Sequence, residues 1–293
     1  GDIYTGLDRF GRVKDVRWQD VSAGTDLSRV QYGYDRASNR TWRKNPTDTS
    51  NHQDWLYGYD GLHRLKDAGR GTLNGTQTAI TSPQFAQCWT LDETGNWSGF
   101  RQADGGSAWT LEQARSASTV NEISSIANTT GPAWAQPAYD AAGNMTTIPT
   151  PSRALSWANL SVDDWAKLTV DEWANLPVDA VALTSYTATY DAWNRLVKLT
   201  NGSDTVQENA YDARNYRTVR KDYISGGLNE TRHFYYCDGW QVLEERLGSS
   251  STPDRQFVWG NRYLDDLILR DRTTTTTLDE RLYACQDANW NVT

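Results

Sequence analysis

Short alternating runs of apolar and polar residues recur along this chain, and each is broken by the same kind of polar phrase. Val30-Gln31-Tyr32-Gly33-Tyr34 alternates with period two, as does Arg195-Leu196-Val197-Lys198-Leu199-Thr200. That period marks β-strands with one buried and one wetted face. Between such runs stand an aromatic residue or leucine, an aspartate, two free positions, and then glycine or asparagine. Seven copies align, beginning at Leu7-Asp8, Tyr34-Asp35, Tyr59-Asp60, Leu91-Asp92, Tyr139-Asp140, Tyr190-Asp191 and Tyr211-Asp212. The carboxylate can accept backbone N–H groups just ahead of it and so start a turn, and three residues later the chain needs positive φ to reverse. Gly11, Gly95, Gly143, Asn194 and Asn215 fill that slot in five copies. These two residue types enter the left-handed region most cheaply, where an ordinary side chain costs roughly 1–2 kcal/mol. Ser38 and His63 occupy the slot in the other two copies, so those turns are expected to be built differently. Each unit reads as a β-hairpin.

A lone hairpin cannot bury its apolar face and must stack on its neighbours. Copies 21 residues apart (Tyr190 to Tyr211) or 25 apart (Tyr34 to Tyr59) leave room for two strands and two turns. The expected fold class is all-β: stacked antiparallel β-hairpins coiling into a curved shell or tube wall, with a short helical insert. Asp104–Ser107, Asn128–Pro137, Ser225–Asn229, Gly248–Asp254 and Thr273–Thr277 read as loops, with two facing strand ends as the alternative for the five threonines. Val120-Asn121-Glu122-Ile123 reads as the strand between 101 and 137.

The insert shows a change of period. From Trp157 to Asp179 the pattern repeats every eight residues, with Trp157, Trp165 and Trp173 followed by Leu160, Leu168 and Leu176. Ser161-x-x-Asp164 is a shortened capping box and Thr169-x-x-Glu172 a full one, which predicts three short helical turns in a stack. Two roles stay open for it. One is a plug that packs its Trp and Leu row onto the sheet; the other is an exposed aromatic strip, Trp157, Trp165 and Trp173, that binds a partner or glycan.

The Tyr-Asp phrase, with Tyr-Gly-Tyr-Asp at 32–35 and again at 57–60, resembles the YD repeat of the Rhs family. That family includes shell components of insecticidal toxin complexes and the teneurin adhesion receptors. Phe257-Val258-Trp259-Gly260-Asn261-Arg262-Tyr263-Leu264-Asp265-Asp266-Leu267-Ile268-Leu269-Arg270-Asp271, with Arg281-Leu282-Tyr283 and the stretch from Gln286 to Thr293, is similar to the start of the Rhs-associated core. The resemblance spans nearly the whole chain. With the insert read from its own period, the resemblance divides the chain into four segments: YD-repeat sheet over 1–150, the insert over 151–180, YD-repeat sheet over 181–256, and the start of the core over 257–293. It further implies a wall segment of a large secreted or surface shell whose main partner is the rest of the same polypeptide, with a C-terminal toxin as its cargo. An adhesion or glycan-binding module, or a self-assembling extracellular scaffold, is the alternative. Toxin-carrying relatives free their cargo at an aspartate-based site beyond the point where this sequence stops, so self-cleavage would belong to the parent. The chain begins inside a repeat-like phrase and reads as a segment of something longer.

Composition agrees with a pleated, half-buried surface. Of 293 residues, 14 are Trp, 15 Tyr and 5 Phe, against one Met, and aromatic side chains suit sheets. Mean hydropathy is −0.73, which points to a sheet wetted on at least one face. A net charge of −8 without a Lys/Arg track disfavours nucleic acid and anionic membranes as partners. No apolar run approaches the ~20 residues a membrane helix needs. Cys88, Cys237 and Cys285 are too few and too scattered for a disulfide framework or zinc knuckle.

Catalytic motifs are not found. His52, His63 and His233 are the only histidines, and His63, at a turn position, and His233, at a strand-like one, read as structural; there is no zinc-protease, nucleophile-elbow, P-loop or dinucleotide signature. Two carboxylates on an aromatic wall could hydrolyse a glycoside, but most aspartates are already engaged in turns. Glu244-Glu245, Asp265-Asp266 and Asp279-Glu280 read as solvated edge charges rather than a calcium site. The expectation is a structural protein with no enzyme activity, cofactor or metal.

Overall fold

The computed structural model describes residues 6–151, the backbone of 153–154 and 181–182, and residues 185–287. Among these residues there are strands, turns and bends and no helix. The helical turns expected for Trp157–Asp179 lie outside the described residues. No helix among the described residues is long and apolar enough to cross a membrane.

The alternating segments fold as antiparallel strands in chain order. One sheet holds β1 (Asp15–Asp20), β2 (Thr25–Tyr34), β3 (Arg40–Lys44), β4 (Asp54–Tyr59), β5 (Leu65–Gly71), β6 (Phe85–Leu91), β7 (Trp97–Asp104), β8 (Leu111–Ala117) and β9 (Ile123–Thr130). After β10 (Ala138–Tyr139) and β11 (Met145–Pro149) comes a two-stranded ribbon of β12 (Arg153–Ala154) and β13 (Val181–Ala182). The second sheet continues from β11 to β14 (Ser185–Tyr190), β15 (Leu196–Asn201), β16 (Asp204–Tyr211), β17 (Arg217–Ile224), β18 (Gly227–Tyr236) and β19 (Val242–Leu247). It ends with β20 (Arg255–Trp259), β21 (Leu267–Thr273) and β22 (Leu278–Tyr283). Most sheet neighbours are consecutive in the chain, so most connections are hairpins, the simplest route for an antiparallel sheet; the exception is β11, which pairs with β14 with the β12–β13 ribbon between them in the chain.

Two expected loops and one expected strand change, and Asn128–Thr130, expected as the start of a loop, belong to β9. Ser225–Asn229 is a tight turn at Ser225-Gly226, both at positive φ, and Gly227–Asn229 already belong to β18. Val120–Glu122 is not strand but a turn with Asn121 at φ 65°, and only Ile123 begins β9. The polar Ser118 starts that turn where an aspartate was sought, so its hairpin signal went unread.

The strands pack into two compact units. The first comprises Gly1–Gln87, Asp104–Ala108 and Gln207–Thr293. Val30 and Tyr32 are buried on one face of β2, with the Arg40 guanidinium 4.1 Å above the Tyr32 ring. Trp55 pairs in register with both Arg43 and Arg70 and stacks on Tyr57 at 6.1 Å. Gly33 of the Tyr-Gly-Tyr-Asp phrase lies under the Trp42 indole, where any Cβ would overlap the ring. Trp18 of β1 donates its indole N–H to the Gln286 carbonyl at 2.9 Å, and the Gln286 side chain donates to the Asp265 carbonyl at 2.7 Å. An ionic cluster is embedded in the same unit. The buried Arg232 donates to Glu230 at 2.9 Å, Glu245 at 2.6 Å and Asp254 at 2.7 Å, and Arg255 joins from the next strand at 3.4 Å from Glu245. Burial by itself would pull the Arg232 guanidinium down, but its bonds to Asp254 and Glu230 and the Glu245 charge raise it above its ordinary value.

The second unit comprises Cys88–Ala103 and Trp109–Val206. Its core contains Phe100, Ala103, Ile126 and Ala188. Trp97 stacks on Phe100 at 5.4 Å and meets Trp89 edge-on at 6.0 Å. Arg115 lies 5.1 Å above Trp97 and hydrogen-bonds the buried Gln113. Arginine is thus used as a half-polar packing residue, its plane on an aromatic ring and its N–H groups on sheet carbonyls or amides.

Candidate functional site

The repeated turns form the most organised feature of the molecule. In all seven copies the aspartate N–H donates to the carbonyl four residues on, and the N–H three residues on donates back to the aspartate carbonyl. For Asp60 these bonds are 2.9 Å to Arg64 and 3.0 Å from His63. The aspartate Oδ1 accepts two more N–H groups, as Asp8 does from Phe10 at 2.9 Å and Arg12 at 3.0 Å. One residue before five of the seven turns the pairing slips by one: at Gly33/Tyr34, Gly58/Tyr59, Ala138/Tyr139, Thr189/Tyr190 and Ala210/Tyr211. This is a type I turn closed by a bulge residue in the left-handed region.

The fourth position takes positive φ whatever residue occupies it. Gly11 is at 77°, Gly95 at 95°, Gly143 at 83°, Asn194 at 60° and Asn215 at 67°. Ser38 at 71° and His63 at 62° do the same, so the expectation of a different build for those turns is corrected. Four backbone and Asx hydrogen bonds per turn outweigh the cost of roughly 1–2 kcal/mol for a non-glycine residue there.

Two further side chains complete the motif. The residue after the positive-φ position returns to the aspartate Oδ2: Arg12 to Asp8, Arg64 to Asp60 and Arg195 to Asp191, each at 2.7 Å, and Asn39 to Asp35, Asn96 to Asp92 and Asn144 to Asp140 at 2.8–3.1 Å. The tyrosine ahead of the aspartate reaches backward to the preceding turn. The hydroxyl of Tyr34 donates to Val13 O at 2.7 Å, Tyr59 to Arg40 O at 2.9 Å, and Tyr190 to Met145 O at 3.1 Å. In every case the acceptor is the fifth residue after the previous turn's aspartate. Tyr139 makes the same approach but accepts, from Ile123 N–H at 3.1 Å. The tyrosine therefore senses the register of its neighbour, which phenylalanine could not do.

Successive turns also touch directly. Asn39 meets the His63 ring at 2.9 Å, Asn96 donates to Asn121 at 3.0 Å, and Asn144 donates to Asn194 at 2.9 Å. This ladder exposes turns that sequence reading missed. Ser118 occupies an aspartate position, with Oγ accepting from Val120 and Glu122 N–H. Cys237 occupies another: its sulfur accepts Gly239 N–H at 3.2 Å, its N–H donates to Gln241 O at 2.9 Å, and Trp240 takes φ 71°. The preceding Tyr236 donates to Arg217 O at 2.9 Å, five residues past Asp212. Trp259 replaces tyrosine at the next step, its indole N–H donating to Val242 O at 2.8 Å. A search for aromatic-x-x-x with any short hydrogen-bonding residue in place of aspartate would have found Tyr236-Cys237. Trp157, Trp165 and Trp173 lie outside the described residues.

Replacing Tyr34 with phenylalanine is expected to cost about 1 kcal/mol, because the Val13 carbonyl loses its partner in a half-buried site. The same change at the exposed Tyr235 is expected to be nearly neutral; chemical denaturation of both variants measures the difference.

Asp8, Asp35, Asp60, Asp92, Asp140 and Asp191 are held below the ordinary carboxylate value. The Thr94 hydroxyl, against the cost of lost solvent and helped by the Asn96 side chain and two N–H groups, lowers Asp92 from 3.8 to about 2. The Asn144 and Asn39 amides lead the lowering at Asp140 and Asp35, and the Arg64 N–H leads it at Asp60. At Asp8 and Asp191 lost solvent pushes upward, but the bonds from Arg12 and Arg195 prevail. Groups lowered in the folded state bind protons first in the unfolded chain, so their stabilisation is intact above the unfolded value and is lost as pH falls through the folded one. The melting temperature is expected to be flat from neutrality to about pH 5 and to fall between about pH 4 and 2, as thermal scans in matched-salt buffers would record.

Among the described residues no group of three or more His, Cys, Asp or Glu side chains is placed to hold a metal ion. Cys88, Cys237 and Cys285 form no disulfide among the described residues.

No family model matches the sequence, and no curated protein matches it. Solved structures do show similarity at low identity. The crystal structure of TcdB2-TccC3-TEV is 10% identical over 96% of this chain and 17% of its own, with a TM-score of 0.36. The Photorhabdus luminescens Tc holotoxin pore carrying a TccC3 mutation is 11% identical over 89% of this chain and 15% of its own, with a TM-score of 0.33. The crystal structure of TcdB2-TccC3 is 12% identical over 85% and 14%, with a TM-score of 0.33. The chain thus spans about one sixth of the length of the structures it is similar to.

Proposed function

We propose that this chain is a structural wall segment of a large secreted or cell-surface YD-repeat shell, not an enzyme, and that its principal partner is the rest of the same polypeptide. The observation that carries this reading is the linkage between turns. The hydroxyls of Tyr34, Tyr59, Tyr190 and Tyr236 bond the strand leaving the preceding turn, and Arg12, Asn39 and Asn144 of one turn bond the next. A unit built this way is complete only with a neighbour on each side and extends by adding further copies, the property of a repeat array. The paired aspartates and arginines are occupied in holding turns rather than standing free for chemistry. The finer part of the proposal, a C-terminal toxin enclosed by the wall, rests on the resemblance to Rhs proteins.

The test is intact mass spectrometry of the parent protein isolated natively, run first under denaturing and then under non-denaturing conditions. A C-terminal fragment that is severed yet travels with the shell is the expected result. A single uncut chain that forms long assemblies would replace the container with a self-assembling scaffold or adhesin.

A further inference from the structure

One junction between turns carries charge that the turn ladder does not use. The Asp8 and Asp35 turns lie side by side, with Arg12 Nη1 donating to the Asp35 carbonyl at 3.0 Å and to the Ser38 hydroxyl at 3.1 Å. Beside this contact opens a cleft of about 680 Å³ lined by Arg9, Phe10, Arg12, Tyr34, Asp35 and Arg36. Its size suits one or two small rings.

The residue following the turn aspartate sets this junction apart. In the other turns it is Gly61, Glu93, Thr119, Ala141, Ala192, Ala213 and Asp238; in these two adjacent turns it is arginine, Arg9 and Arg36. Arg12 is committed to Asp8 at 2.7 Å. Arg9 and Arg36 are exposed and form no ion pair among the described residues, where most of the other arginines do. The Phe10 ring, 66% exposed, stands between guanidiniums, with Arg9 4.6 Å and Arg12 5.1 Å from its centroid, and Arg12 also covers Tyr34 at 4.6 Å. The aromatic rings space the cations and leave apolar edge in the cleft.

We propose that this cleft binds a single anionic sugar unit, its carboxylate, sulfate or phosphate ester held between Arg9 and Arg36 and its C–H surface against Phe10. The guanidinium fork matches an oxyanion, the ring edges match the apolar side of a pyranose, and the Ser38 hydroxyl stands ready for a sugar hydroxyl. The chain's net charge of −8 repels extended polyanions at long range, which favours a short ligand over a nucleic acid. The proposal is independent of the wall assignment.

Calorimetric titration of the whole chain at low salt tests it, with glucuronate, glucose 6-phosphate, glucose and inorganic phosphate as probes. Glucuronate and glucose 6-phosphate are expected to bind and compete with each other, and glucose is expected to bind far more weakly. The double variant R9Q/R36Q should lose at least about tenfold in affinity with an unchanged melting temperature, since neither arginine supports the fold; F10A should lose affinity for the sugars but not for inorganic phosphate. No binding, equal binding of glucose, or unchanged affinity in R9Q/R36Q would overturn the site. Inorganic phosphate binding as tightly as glucose 6-phosphate would overturn the assignment of a sugar.

Discussion

Replacing Arg232 with methionine is expected to lower unfolding stability by about 3–5 kcal/mol, the cost of breaking a buried ion pair from one side. Its side chain is 8% exposed and holds Glu245 and Asp254, themselves 11% and 14% exposed. Methionine would fill a similar volume and leave these carboxylates facing each other, with Arg255 at 3.4 Å from Glu245 and 3.5 Å from Asp254 as the nearest compensation. Arg101, 55% exposed and 3.4 Å from Glu112, is the control: its change to methionine should cost less than about 1 kcal/mol. Urea unfolding with a shared m-value decides between them. Similar losses for the two variants would mean that the Arg232 cluster is solvated in practice.

Gly131→Ala is expected to cost about 3 kcal/mol, against about 1–2 for Gly143→Ala. Both glycines sit at φ +83°, so both substitutions carry the same left-handed penalty of roughly 1–2 kcal/mol. They differ in surroundings. A Cβ on Gly131 would fall onto the Thr110 carbonyl oxygen and crowd the Leu111 Cα, backbone atoms that can yield only by shifting the end of the β7–β8 connection and the start of β8. A Cβ on Gly143 meets nothing nearer than the Glu122 carboxylate at 3.7 Å, the movable end of a flexible side chain. The extra cost at Gly131 is therefore an overpacking term of roughly 1–3 kcal/mol. Melting of the two variants side by side separates strain from overlap; equal losses would show that φ alone governs both sites.

Much of the turn motif could be read from residues alone because its chemistry is local. Asp8, Asp60 and Asp191 accept N–H groups two and four residues away, and Arg12, Arg64 and Arg195 return to them across one turn. Nothing distant is needed for that geometry, so its signature survives in sequence. Ser38 and His63 were misjudged because residue preference at positive φ is weaker than the bonds that close the turn. Ser118 and Cys237 were missed for the complementary reason: an oxygen or sulfur in the right place can serve as acceptor without being a carboxylate.

What the sequence determined by itself was the alternation of strands, the aspartate turns and the antiparallel hairpin order, all governed by contacts within a few residues. Which tyrosine meets which carbonyl, as Tyr34 meets Val13 and Tyr236 meets Arg217, was decided only by the tertiary structure. So were the burial of Arg232 among three carboxylates and the gathering of Arg9, Phe10 and Arg36 at one junction. These depend on the register between neighbouring hairpins. A slip of one residue would turn every side chain to the opposite face, and register is set by the sum of many weak cross-strand contacts rather than by any one residue.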